Sequence, residues 1–291
     1  MNTIEEKLVS VIVPTHNRSN MLVKAIESIY NQSYKNIEVI IIANGCTDNT
    51  CDIVATLQNR FKTITFLNFK ESLGGAEARN KGLDITKGEY IAFLDDDDEW
   101  LENKLVKQVE ILENSDYCIV GCNYNEVYPS KIKKRDLKEK ISFYDMNFEN
   151  VLGSYSFCIT KKEYIGNLRI NKYFKANQDY DLWLKILQHT EKEAYIIQEY
   201  LVNYYQHSEK ISTNYTNKLD AQNNFILYWQ DKFSKDGLNY QYMKKDFFSF
   251  MSNKNYKYIF KLPSILKAII FSPYRFNIKK YYVYMNFSRY L

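Results

Sequence analysis

Four short apolar runs alternate with three stretches of helical spacing in the first hundred residues, and this alternation constrains the fold more than any other feature of the chain. Val9-Ser10-Val11-Ile12-Val13 is a β-branched run that halts at Pro14, as a strand entering a turn does. Met21, Leu22, Ala25, Ile26 and Ile29 then recur at the spacing of one helix face, with Ser19 placed to cap it. Ile37–Ile42 reads as a second buried strand, closed by Asn44-Gly45. Thr47 or Asp48 caps a helix carrying Ile53, Val54 and Leu57. Ile64–Phe69 is a third strand, Gly74-Gly75 opens a helix through Ile85, and Tyr90–Leu94 is the fourth strand. This order predicts an α/β, Rossmann-like fold, a mostly parallel sheet with flanking helices and right-handed crossovers. Such a sheet binds its ligand beyond the carboxyl ends of its strands. Three polar groups stand at those ends: Pro14-Thr15-His16-Asn17-Arg18, Ala43-Asn44-Gly45 and Asp95-Asp96-Asp97-Asp98.

The last group carries the strongest chemical signal. Asp95 to Glu99 are five consecutive carboxylates directly after a buried strand. Folding forces such charges together unless something neutralises them. A hard divalent cation, Mn²⁺ or Mg²⁺, does so while leaving positions for phosphate oxygens. The cluster is therefore a candidate metal–diphosphate site; taken alone it also fits a solvated acidic turn or a Ca²⁺ loop.

Further along, Leu105, Val109 and Leu112 mark a helix and Tyr117–Val120 a strand. Residues 129–150, with Lys131, Lys133, Lys134 and Arg135, read as a solvated surface loop. Asp179 stands at the start of a helix carrying Leu182, Trp183, Ile186 and Leu187, and residues 195–205 read as a short strand. From about Asp220 the chain reads as helical and aromatic. Charge divides it again: from Phe247 to Leu291 there are eight Lys or Arg, no Asp or Glu and 14 aromatics. Five cysteines form no disulfide framework and no zinc pattern, which points to thiols in a reducing compartment. The polar, acidic Met1–Lys7 does not read as a secretory leader, and no run approaches the ~20 apolar residues of a membrane span.

In order along the chain, several motifs resemble family 2 glycosyltransferases of the GT-A fold. They are Val9–Arg18, Asn31-Gln32-Ser33-Tyr34, Gly45-Cys46-Thr47-Asp48-Asn49-Thr50, Gly74–Gly82, Phe93–Asp98 and Gln178-Asp179-Tyr180-Asp181-Leu182-Trp183. The resemblance covers roughly residues 8–215, about seven tenths of the chain. It implies a GT-A catalytic domain over 1–219, with a nucleotide-sugar half at about 8–120 and an acceptor half at about 121–219. Residues 220–291 then form a helical, aromatic and basic C-terminal extension. It implies an inverting transferase of the bacterial surface-polysaccharide type that moves a sugar from a nucleotide diphosphate to an acceptor hydroxyl.

Carried over residue by residue, the resemblance makes Asp97 the direct metal ligand and Asp95 a ligand through water or ribose. It places Asp96 at the ribose and Asp179 as the catalytic base, with Asp181 in reserve. A carboxylate at a helix N-terminus stays ionised, so Asp179 is expected to be a weak base. Pro14, Thr15, Asn17 and Arg18 fall in the donor-binding loop. Arg79 resembles an arginine at the nucleobase or diphosphate, against the plainer reading of a solvated helix residue. His207 resembles a histidine that joins the metal or the diphosphate, against that of a surface histidine. Trp183 reads as core. The family usually has two acidic residues where this chain has Ala43-Asn44. Asn44 keeps an acceptor oxygen and adds a donor, which leans to a uridine diphosphate sugar while leaving guanine possible.

Rival classes fit less well. A sugar-nucleotide nucleotidyltransferase needs a glycine-rich phosphate loop after its first strand, and Pro14–Arg18 has no glycine. A non-catalytic nucleotide-sugar binding module has no use for both the carboxylate cluster and Asp179. A glycosidase leaves the cluster unexplained. The basic, aromatic tail suits an anionic membrane surface and carries no nucleic-acid motif. The expected place of work is the cytoplasm, at the inner face of a bacterial inner membrane, on a lipid-linked oligosaccharide of O-antigen or capsule synthesis.

Overall fold

A computed structural model describes residues 6–206 and 215–252. The chain divides after Thr213 into a larger and a smaller unit. The larger opens with the alternation its sequence predicts: β1 (Val9–Thr15), α1 (Ser19–Tyr30), β2 (Ile37–Asn44), α2 (Thr50–Arg60), β3 (Ile64–Phe69), α3 (Gly75–Leu83) and β4 (Tyr90–Phe93). It continues with β5 (Asp98–Trp100), α4 (Lys104–Asn114), β6 (Ile119–Tyr128), β7 (Lys131–Arg135), β8 (Lys140–Ile141), β9 (Ile159–Lys161), α5 (Lys162–Ile165), α6 (Gln178–Thr190) and β10 (Ala194–Tyr205).

These strands form one sheet in the order β3-β2-β1-β4-β9-β6-β10-β5, with β7 on β6 and β8 on β10. β1, β2, β3 and β4 are parallel; β1, β2 and β4 are buried on both faces and read as apolar runs, while β3, at the edge of the sheet, is partly exposed. All eight residues of β2 are buried, and each of its isoleucines contributes about 1.5–3 kcal/mol by leaving water. Leu22, Ala25, Ile26 and Ile29 of α1 are buried at helical spacing, while Met21 lies at the rim. β9 runs against both β4 and β6, so β6 is parallel to β4 and its carboxyl end lies at the same edge of the sheet.

Several local expectations are corrected. β1 does not halt at Pro14 but runs to Thr15 beside β2. The carbonyl of Ile12 faces β4, accepting from Leu94 N, so Pro14, two residues on, turns its missing N–H to the same side, where β4 has ended. Ser19 is the first helical residue rather than the cap; Arg18 takes the cap position. Asn49 takes the cap position of α2, although Asp48 Oδ1 still accepts from Thr50 N at 3.1 Å. Asp98–Trp100 is a strand paired antiparallel to β10, not part of a loop. The strand expected at Tyr117–Val120 runs from Ile119 to Tyr128. Residues 129–150 are not one loop: Lys131–Arg135 returns as β7 along β6, held by backbone pairing that a lysine-rich sequence does not advertise.

The smaller unit is described through α7 (Tyr215–Trp229) and α8 (Lys235–Ser252). Gln222 Nε2 donates to Gln241 Oε1 at 2.9 Å between these helices, and Trp229 stacks on Phe233. No described helix is long and apolar enough to cross a membrane.

Candidate active site

The polar groups at the strand ends hold one another. Thr15, the last residue of β1, donates its hydroxyl to Asp96 Oδ2 at 2.7 Å. Pro14 precedes it, half-buried. Asn17 turns the chain with a left-handed φ of 52°, a conformation Asn tolerates better than most residues. Its Oδ1 accepts from Thr47 N at 2.7 Å, clipping the loop after β1 to the loop after β2. Asn44, 7% exposed, spends its Oδ1 on Leu73 N at 2.6 Å. The acceptor oxygen expected to face a nucleobase is thus engaged by the main chain, and the amide N–H₂ is its other hydrogen-bonding end.

Arginines supply much of the neutralisation that the acidic run demands. Arg18 Nη1 lies 3.0 Å from both Asp96 Oδ1 and Asp97 Oδ2. Arg79, on α3, reaches Asp95 Oδ1 with Nη2 at 2.5 Å and the Gly75 carbonyl with Nη1 at 3.1 Å. Its guanidinium lies 4.3 Å above the Tyr155 ring, and its side chain is 12% exposed, so it is not a solvated helix residue. Burial works against the charge of Arg79, but Asp95 and its neighbours hold its pKa above the ordinary value. Asp96, expected at a ribose, has both oxygens on Thr15 and Arg18 and is 4% exposed. Burial raises its pKa despite Arg18. Asp98 is buried in β5, where Oδ2 accepts from Ser156 Oγ at 2.6 Å. It braces the strand rather than adding a spare ligand.

The segment 154–156 was not legible as part of the site. Ser154 Oγ donates to Asp95 Oδ2 at 3.2 Å, and Asp95 N donates to Ser156 Oγ at 3.1 Å. Tyr155 lies beneath Arg79 and against Trp183, which is core as expected. The only sequence signal is a Gly-Ser-Tyr-Ser run, a composition shared by many turns.

Asp179 is the second residue of α6. The preceding segment is pinned to α3 and α6. Asn80 Nδ2 donates to the Ile170 carbonyl and Asn80 Oδ1 accepts from Ile170 N, both at 2.9 Å. Asp181, fully buried, accepts from Asn171 N at 3.1 Å and from Lys185 Nζ at 2.6 Å, so it anchors that segment. Asn177 then enters the helix with φ 62°. The carboxyl of Asp179 accepts from its neighbour, Tyr180 N, at 2.8 Å, and it has no cation within 4 Å among the described residues. Gln178 stands beside Gly75 and Arg79, so the start of α6 meets the start of α3: a Cβ on Gly75 would lie 3.2 Å from Gln178 Oε1 and 3.0 Å from Arg79 Nη1. Burial pushes the Asp179 carboxyl up to about 6; Asp95 adds to the rise, and Tyr180 N and Arg79 oppose it. The expectation of an ordinary helix-terminal carboxylate is therefore corrected: desolvation outweighs the helix terminus.

Asp95 and Asp97 offer hard carboxylate oxygens with side chains 25% and 12% exposed, which fits Mg²⁺ or Mn²⁺. No group of three acidic, His or Cys side chains is set to grip an ion among the described residues. His207 lies outside the described residues.

Fold and site together define a glycosyltransferase of the GT-A type. The profile of glycosyl transferase family 2 matches residues 10–168, and the chain belongs to that family. It is 31% identical over 228 residues to the UDP-Glc:alpha-D-GlcNAc-diphosphoundecaprenol beta-1,3-glucosyltransferase WfaP of Escherichia coli, covering 76% of this chain and 86% of that protein. It is 35% identical over 198 residues to the GalNAc(5)-diNAcBac-PP-undecaprenol beta-1,3-glucosyltransferase of Campylobacter jejuni, covering 64% of this chain and 61% of that one. Among solved structures, S. aureus TarS 1–349 in complex with UDP-GlcNAc superposes with a TM-score of 0.68 at 15% identity, covering 90% of this chain and 79% of that one. The mannosyltransferase PcManGT from Pyrobaculum calidifontis, in complex with GDP-Man and Mn2+, gives 0.64 at 17% identity, covering 92% and 75%.

Proposed function

We propose that this enzyme transfers a sugar from a uridine diphosphate donor to a hydroxyl of a lipid-linked oligosaccharide, with inversion at the sugar carbon. The observation that carries the proposal is Asp179: a carboxylate with no cation beside it, its pKa lifted to about 6, at the helix start that meets Arg79. A base of that strength is mostly ionised at neutral pH and still accepts a proton late in the reaction. Asp179 takes the proton of the acceptor hydroxyl as its oxygen bonds to the sugar carbon. The bond from that carbon to the diphosphate oxygen breaks, and its electron pair leaves with the nucleotide.

The chain's own cations serve the leaving group. Arg79, kept charged by Asp95 and stacked on Tyr155, faces the developing negative charge. A divalent ion held by Asp97 and Asp95 with the diphosphate supplies further charge neutralisation when bound; the Mn2+ in the mannosyltransferase structure supports that assignment. Asn44, its oxygen tied to Leu73, turns its amide donor to a uracil carbonyl. The UDP-GlcNAc complex of the TarS fold and the diphosphoundecaprenol acceptors in the names of two relatives support donor and acceptor class. The basic tail beyond Asp246, outside most of the described residues, would keep the enzyme at an anionic membrane. The catalytic domain would then span 1–219 and the extension 220–291.

The test is transfer by the full chain from a panel of nucleotide sugars to polyprenyl-diphosphate acceptors with Mn²⁺. A product of inverted anomeric configuration is expected, with UDP released only when acceptor is present. Retained configuration removes direct displacement, full activity in EDTA removes the metal, and tighter calorimetric binding of GDP than UDP removes the base assignment.

A further inference from the structure

The hairpin of β6 and β7 has properties that catalysis does not use. Lys131, Lys133 and Lys134 are exposed and make no ion pair among the described residues; Arg135 alone has a carboxylate, Glu126, at 2.5 Å. The lysines lie over aromatic rings, Lys131 and Lys133 above Tyr128 at 5.6 and 5.0 Å and Lys134 above Tyr200 at 4.7 Å. Between them Ile132, one residue in from the start of β7, is 65% exposed. Lysines on an edge strand protect it against unwanted pairing. That role accounts for the charges, but not for an isoleucine left in water or for the aromatic rings beneath.

Register locates the hairpin relative to the site. Ala92 of β4 and Val120 of β6 are both opposite Ile159 of β9, so they lie at one level of the sheet. Asp95 is three residues beyond that level and Tyr128 eight. The chain has left β4 by Asp95, and across β10 Tyr204 is opposite both Asp98 of β5 and Glu126 of β6, so Tyr128, two residues on, stands roughly 7 Å past the level of Asp98 on the edge of the sheet where the site lies. It is a cationic, aromatic projection with an exposed isoleucine next to its Pro129-Ser130 turn, on the catalytic edge.

The geometry points to a lipid-docking role: the β6–β7 hairpin seats the catalytic edge on an anionic membrane surface. The three lysines meet headgroup phosphates, the tyrosine rings lie in the headgroup layer, and Ile132 enters the apolar boundary. This inference rests on the lipid-linked acceptor proposed above and identifies a second contact, separate from the C-terminal tail. The hairpin would bring the diphosphate end of a membrane-held acceptor to the level of the site.

The experiment is flotation of the full chain with phosphatidylcholine vesicles containing graded phosphatidylglycerol, at several salt concentrations. Two triple variants are compared, Lys131→Gln with Lys133→Gln and Lys134→Gln, and the same three positions changed to Arg. Each lysine near an anionic surface is worth roughly fivefold in partitioning, so the Gln variant is expected to bind about 100-fold more weakly with a shallower salt dependence. The Arg variant should bind as the native chain does, and Ile132→Ser should bind severalfold more weakly. Turnover on a water-soluble acceptor should stay within about twofold for all variants. Unchanged flotation of the Gln variant overturns the inference. So does an Arg variant that loses as much as the Gln one, since the loss is then not one of charge. A chain that floats through its hairpin yet transfers nothing to a lipid-linked acceptor breaks the proposed function and leaves the hairpin standing.

Discussion

The two ends of the site treat the same functional group in opposite ways. At the ends of β1 and β4, Asp95 is tied to Arg79 and Asp97 to Arg18. At the start of α6, Asp179 is crowded by protein but has only a backbone donor and no cation beside it. Ion pairing favours the charged form of a carboxylate, and desolvation without a partner favours the neutral form. The first arrangement suits a group that must hold charge; the second suits one that must take a proton.

Mutation can break this contrast, beginning where the effect should be largest. Asp97→Asn is expected to lower transfer on the order of 10³-fold and to abolish Mn²⁺-dependent stabilisation of bound UDP in thermal-shift measurements. Asp179→Asn is expected to lower turnover roughly 10²–10⁴-fold with donor affinity by calorimetry unchanged. If both variants lose donor binding alike, the two ends do not differ in function. Arg79→Lys should cost about tenfold in kcat/KM, because a lysine cannot span Asp95 and the Gly75 carbonyl or stack on Tyr155.

Two smaller effects sharpen the contrast through protons. The base works when deprotonated, so kcat/KM should fall about tenfold per pH unit as pH drops below about 6. A limb near pH 4 would mean that Asp179 is not desolvated in solution. The same raised pKa has a stability sign. Between roughly pH 4 and 6 the folded state holds a proton that the unfolded chain has released, so this group's contribution declines as pH rises through that window. Removing it should therefore help: Asp179→Asn is expected to gain roughly 1–3 kcal/mol in urea unfolding at pH 7.5 and almost nothing at pH 4. A variant less stable than the native chain at pH 7.5 would show that the carboxylate supports the fold.

Legibility in the sequence followed the same physics. β1, β2 and β4 could be read because both faces are buried and their residues are mostly apolar, and β3, partly exposed at the sheet edge, reads less cleanly. β7 could not, because its order comes from main-chain pairing to β6 rather than from an apolar period. The carboxylate cluster was visible, yet its arginine partners lie 16 and about 78 residues away in the chain, and a local motif does not say which of them closes on it. Ser154 and Ser156 reach Asp95 only through the return of β9 to β4. For Asp179 the position was legible and the strength was not. The helix terminus is local and can be counted along the chain, whereas desolvation depends on what the rest of the fold stacks around the group.

The bracket between Asn80 and residue 170 has a meaning for which substitutions the site tolerates. Asn80 grips only the peptide N–H and carbonyl of Ile170, while the Ile170 side chain, 2% exposed, is held separately by packing in the core. Exchange of one apolar side chain for another at 170 would leave both hydrogen bonds, and with them the approach to the proposed base, in place.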